Sequence, residues 1–167
     1  MASNKFLEVN FTIEGDKQVA FVFENLDKEL KNLKKPLQEI KKYMLDAFQS
    51  NIKQRGKLLG KKWKKLSPQY KKWKAKKYAG RGLLVRTGKL QRGFKGKVTR
   101  TYLELYNTTS YFKYHQSNQP RKKLPRRMVM RIDNKRRAEI QRFFTEFINE
   151  KIPRDYTKSH QTMSLSL

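Results

Sequence analysis

The side chains that could do chemistry in this chain are few and scattered. His115, with Tyr111 and Tyr114 close by in sequence, is the best candidate for a general base, and the other histidine is His160. Glu104, Asp133 and Glu139 are the nearest acids, but they fall on separate segments. General acid–base or metal chemistry needs several such groups converging on one point. This pattern offers one histidine and carboxylates on different elements, so it points to no catalytic residues, no metal ligands and no cofactor. There is no cysteine, which excludes disulfides, thiolate zinc sites and cysteine nucleophiles. The glycines of YAGRGLLVRTGKL (Tyr78–Leu90) fit neither the GxxxxGK[ST] nor the GxGxxG spacing and read as an ordinary turn.

The chemistry the chain does offer is cationic. Lys and Arg number 41 against 14 Asp and Glu, a formal net charge of +27 in 167 residues. Residues 1–46 carry eight bases and eight acids, whereas Ala47–Leu103 contains no acid at all. Such a field attracts DNA, RNA or an acidic protein surface. The candidate anion-facing cations are Lys57, Lys61, Lys62, Lys64, Lys65, Lys71, Lys72, Lys74, Lys76, Lys77 and Arg81. The plainer reading is a solvated lysine face. No zinc finger, RNP motif, KH loop or basic zipper is present, so contact with nucleic acid would be to phosphates without base readout.

These residues need elements to hold them. The length suits one domain, 1–153, followed by a polar tail, 154–167. No apolar run is long enough for a signal peptide or a membrane span. FLEVNFTI (Phe6–Ile13) alternates as a half-buried strand, and Gln18–Phe23 returns as its hairpin partner. From an N-cap at Asn25, apolar residues at Leu26, Leu30, Leu33, Leu37, Ile40, Met44, Phe48 and Ile52 predict a long amphipathic helix. Pro36 kinks it or divides it into two helices. Ser67-Pro68 reads as N-cap and N1 of a short helix. On that helix Leu66, Tyr70 and Trp73 share one side, predicted to face the core as Trp63 does, with the lysines outward. A stacking platform for bases would instead put aromatics and lysines on one exposed face. Phe94–Thr99 and Tyr102–Tyr106 form a hairpin turning near Arg100, and Ser110–Pro125 continues as strand end and loop. Arg126–Ile132 suits another strand. Asp133 caps a last helix with Ile140, Phe143, Phe144, Phe147 and Ile148 inward, stopped by Pro153. The fold class is α+β: an antiparallel sheet packed against a long kinked N-terminal helix and a C-terminal helix.

The order of segments WKKLSPQYKKWK, LLVRTGKLQRGF, YFKYHQ and LPRRMVM resembles the phage virion morphogenesis (tail-completion) family of tailed bacteriophages, which includes the Mu-type G proteins. The matching residues are Trp63, Leu66, Ser67, Pro68, Leu83, Leu84, Thr87, Gly88, Leu90, Tyr111, His115, Gln116, Pro125 and Arg126. The family's Pro-x-Arg-Pro-Phe ending stands here as Pro125-Arg126-Arg127-Met128-Val129, so its arginine is Arg126 or, one residue on, Arg127. The resemblance implies a non-enzymatic virion protein at the head–tail junction (the neck), assembled in the host bacterial cytoplasm. It implies a homo-oligomeric ring, commonly of six subunits, that lets a finished tail join a DNA-filled head. Its expected partners are neighbouring neck, portal-side adaptor and tail proteins, and double-stranded DNA passing through the ring. The alternative is a sequence-nonspecific nucleic-acid-binding protein, packaging-related or ribosomal-like.

Overall fold

The computed structural model describes residues 30–117 and 124–151. The sequence-predicted hairpin of Phe6–Ile13 and Gln18–Phe23, the cap at Asn25, Pro153 and the tail lie outside these residues.

The long helix α1 spans Lys34–Lys53. Leu30 is helical, but the chain turns at Lys31, so the division falls just before the proline. Pro36 then sits in the first turn of α1, where a missing N–H costs nothing because first-turn amides have no intrahelical acceptor. The Leu33 amide is taken instead by the Arg100 carbonyl at 2.7 Å, which ties the start of α1 to the hairpin turn. Leu37, Ile40, Met44, Phe48 and Ile52 are fully buried, as their three- and four-residue spacing requires. Each such burial is worth about 1.5–3 kcal/mol.

Three short helices and a hairpin follow. They are α2 (Pro68–Lys77), α3 (Lys89–Arg92), β1 (Phe94–Val98), β2 (Leu103–Asn107) and α4 (Phe112–Gln116). The strands pair antiparallel with Phe94 opposite Asn107 and Val98 opposite Leu103. Thr99 closes the turn, its Oγ1 accepting from the Tyr102 amide at 3.1 Å. The last helix, α5, spans Asn134–Lys151. The Asp133 carboxylate caps it, accepting from the Arg136 amide at 3.0 Å. Its buried Ile140, Phe144 and Phe147 pack on α1, and Phe143 meets Tyr43 edge-on at 5.8 Å. The architecture is α+β, with α1 between the hairpin on one side and α5 on the other.

Three expectations are corrected. Tyr111–Gln116 is a turn and the short helix α4, not the end of a strand. Arg126–Ile132 pairs with no strand among the described residues, because side chains take up its backbone groups. Trp63 is buried as expected at 7 % exposure, but Trp73 and Tyr70 are 38 % and 39 % exposed, while Lys74 on the same helix is only 4 % exposed. The helix PQYKKWKAKK has too few apolar residues to form a core-facing stripe. It lies on the outside and anchors through one lysine.

Candidate functional site

Four chain segments meet at one cleft, and each is held there by a specific side chain. The first runs from the end of α1 to α2. Arg55 and Gly56 both have positive φ, 56° and 88°, and they turn the chain sharply out of α1. The Trp63 indole lies flat on Gly56, so close that a Cβ there would fall within 2.4 Å of the ring. Its Nε1 donates to the Met128 carbonyl at 3.1 Å, joining this segment to the run after Pro125. Ser67 then caps α2, its Oγ accepting from the Tyr70 amide at 3.4 Å, with Pro68 at N1.

The second segment is the glycine-punctuated loop. The Lys74 ammonium donates to the carbonyls of Gly82 and Leu83, which pins the loop to α2. Burial lowers the Lys74 pKa, and nearby Arg86 lowers it further. Gly88, at φ 78°, begins α3 and lets Leu90 drop into the core. Arg92 folds back to donate to the Thr87 carbonyl at 3.0 Å.

The third and fourth segments are α4 and the run after Pro125, and Gln116 binds them together. Its Oε1 accepts from the amides of Val129 and Met130 at 3.0 and 3.1 Å, and its Nε2 donates to the Met130 carbonyl. The His115 carbonyl accepts from the Arg127 amide at 3.1 Å. Behind the run, Asn51 of α1 donates to the Val129 carbonyl at 3.1 Å and accepts from the Leu59 amide at 3.2 Å. The side chains of Gln116, Asn51 and Trp63 thus do the work of a neighbouring strand.

The two arginines of this run differ. Arg127 is 3 % exposed, and its guanidinium donates to the Lys64 carbonyl through Nε and one terminal nitrogen, both at 3.2 Å. Burial pushes its pKa down, with Tyr70 acting in the opposite direction. Arg126 is exposed and reaches the Gln116 carbonyl at 3.3 Å. Of the two, Arg127 holds the fold and Arg126 stands at the surface.

The resulting cleft holds about 960 Å³. Leu66, Ser67, Pro68, Thr87, Gly88, Leu90, Tyr111, His115 and Pro125 from the sequence motifs line it. Trp63, Gln116 and Arg126 do not; the first two brace it from behind. Lys64, Lys65, Arg86 and Lys89 are exposed cations of its lining, and among the described residues no carboxylate contributes to it. His115 presents its ring edge to Tyr111, with centroids 6.4 Å apart.

Of the sequence-predicted cations, Lys57, Lys61, Lys62, Lys64, Lys65, Lys71, Lys72, Lys76, Lys77 and Arg81 are exposed. Lys74 is the exception, because its ammonium is occupied by two carbonyls in a buried position. Sequence reasoning missed Asn51, although a polar residue three positions after Phe48 and seven after Met44, on the inward face of α1, was a usable signal. Among the described residues no three His, Asp or Glu side chains stand where they could hold a metal ion. No described helix is long and apolar enough to cross a membrane.

A family model described as the phage virion morphogenesis family matches residues 15–148. No curated protein and no solved structure matches the chain.

Proposed function

The chain belongs to the phage virion morphogenesis family, and on that premise we propose that it is a tail-completion protein of a tailed bacteriophage. It acts as a structural subunit and not as an enzyme. Assembled in the host cytoplasm, it forms a ring, of six subunits, at the head–tail junction. There it joins the tail to the DNA-filled head and surrounds the DNA passage.

The observation that carries this reading is the convergence of the motif segments on one cationic cleft. Residues from positions 64 to 127 meet around it, and interactions from α1, α2 and α4 hold them in place. A ring built from identical subunits needs two different, complementary patches on each one. A cleft with an apolar floor at Leu66, Leu83 and Leu90 and a cationic rim suits a segment carrying apolar and acidic side chains. The occupant proposed is an acidic segment of an adjoining neck protein. The exposed lysines of the acid-free stretch suit a lumen through which a polyanion passes, since phosphate contacts of this kind carry no sequence preference.

Electron microscopy of lysates from a phage with an early stop codon in this gene tests the proposal. DNA-filled heads beside finished, unattached tails are expected. Empty heads would move the protein to packaging, and normal infectious particles would refute a joining role.

A further inference from the structure

Helix α2 does something unusual for its composition: it buries a lysine and leaves its tryptophan partly exposed. Trp73 is 38 % exposed and Tyr70 39 %, against 4 % for Lys74 between the two carbonyls it serves. The exposed rings are ordered with respect to one another. Tyr70 and Trp73 stack with centroids 5.2 Å apart and planes 29° from parallel. Tyr78 continues the row, 5.8 Å from Trp73. The Lys77 ammonium lies over the Trp73 ring at 5.9 Å, and Lys71, Lys72 and Lys76 are exposed on the same helix. No acid occurs between Ala47 and Leu103 to neutralise them.

From this we propose that the Tyr70–Trp73–Tyr78 row is a stacking platform for single-stranded nucleic acid. Unpaired bases extend the aromatic stack, and the flanking lysines hold the phosphates. Accessible π-faces and a cation, the two features non-specific single-strand binding requires, meet at Trp73 and Lys77, and the exposed Lys71, Lys72 and Lys76 surround them on the rest of the helix. The Tyr70–Trp73 pair is already stacked, with Tyr78 tilted 56° against Trp73, so a base joins the pair without first ordering it. The contacts of such a platform are to π-faces and phosphates, neither of which reads base edges, so binding is independent of sequence. A duplex hides the faces of its bases and engages the lysines alone. The platform therefore recognises strands with unpaired nucleotides, such as the overhanging end of a duplex. This site goes beyond the joining role and does not depend on it.

The test uses the full-length protein and labelled strands of equal length: oligothymidylate, and a sugar–phosphate strand lacking bases. Both carry the same phosphates, so they differ only in stacking. Fluorescence anisotropy titrations at several salt concentrations are expected to show thymidylate binding about tenfold or more tighter. Trp73→Ala is expected to abolish that preference while leaving the affinity for the baseless strand and the salt slope unchanged. Trp73→Phe, which keeps a ring, is expected to retain most of it. Circular dichroism and a thermal unfolding curve check that Trp73→Ala remains folded under the binding conditions. Equal affinity of the unaltered protein for the two strands would overturn the proposal and leave the row to a protein partner. So would equal weakening of both strands by Trp73→Ala, or persistence of the thymidylate preference in that variant.

Discussion

Replacing Gln116 by methionine isolates what holds the candidate cleft together. Methionine keeps the length of the side chain and fills its volume, so water has no space in which to replace the lost bonds. It carries neither a comparable acceptor nor the N–H donor. The amides of Val129 and Met130 and the carbonyl of Met130 then all lose their partner, and both residues are buried. A buried polar group left unsatisfied costs about 1–3 kcal/mol. These three bonds are only partly buried, so the low end applies, and the loss of stability is expected to be about 3 kcal/mol. In a chain of this size that lowers Tm by about 6–12 °C, at about 2–4 °C per kcal/mol. Gln116→Glu supplies the acceptor for both amides and loses only the bond to the Met130 carbonyl, where two oxygens now face each other. It is expected to cost less than half as much near neutral pH. Urea unfolding followed by circular dichroism gives both values. If Gln116→Met unfolds within about 0.5 kcal/mol of the unaltered protein, the ordinary range of a surface substitution, then Gln116 does not hold the run after Pro125 and the account of the cleft is wrong.

The adjacent arginines should separate cleanly: Arg127→Ala is expected to cost about 2–4 kcal/mol by stripping the Lys64 carbonyl of its buried partner, and Arg126→Ala less than about 0.5. Thermal unfolding of the two variants side by side measures the difference, and equal values would remove the structural role given to Arg127. Gly56→Ala forces a side chain into left-handed backbone at about 1–2 kcal/mol and drives a methyl group into the Trp63 ring, so a loss of at least about 2 kcal/mol is expected. A red shift of Trp63 emission in a Trp73→Phe background should accompany it. For Lys74 the native pKa lies below the ordinary 10.5, so in the window just below 10.5 the unfolded chain binds more protons than the native one. Stability relative to Lys74→Met should therefore rise with pH through that window, and urea midpoints of the pair measured from neutral pH upward check the sign.

Where periodicity was strong, the sequence was a good guide. The apolar spacing of α1 placed Leu37, Ile40, Met44, Phe48 and Ile52 in the core, and the hairpin ends differ from expectation by one residue. Ser67-Pro68 and Asp133 both cap helices, because capping is local chemistry that needs no tertiary context. Reasoning failed where tertiary partners decide. A short apolar run such as Met128–Met130 looks the same whether a strand or a set of side chains satisfies its backbone. Only the fold shows that Gln116, Asn51 and Trp63 take that role. On α2 the spacing of Tyr70 and Trp73 was correctly read as one face, but spacing does not say which face turns inward. The carbonyls of Gly82 and Leu83 decided it in favour of Lys74.

The way the buried cations are satisfied bears directly on what the surface can do. Among the described residues Lys74 and Arg127 are neutralised by no carboxylate; they are held by the carbonyls of Gly82, Leu83, Lys64 and Lys65. The ion pairs to Asp133, Glu139, Glu146 and Glu150 all involve α5 or the residue that caps it, and only Arg136, paired with Asp133, also reaches the acid-free stretch, at the Leu58 carbonyl. Backbone dipoles stabilise a buried charge without cancelling it, so the net charge of the Ala47–Leu103 region stays in place as a field at the surface. A region built on aspartate and glutamate partners would fold as well but would present a mixed surface. Here the fold is stabilised by carbonyls, an amide side chain and an indole, and the exposed lysines remain available to an external anion. Stability of the cleft and the charge of the surface are therefore separable properties: the first is set by Gln116, Arg127 and Trp63, and the second by the exposed Lys61, Lys62, Lys64 and Lys65 and the exposed lysines of α2.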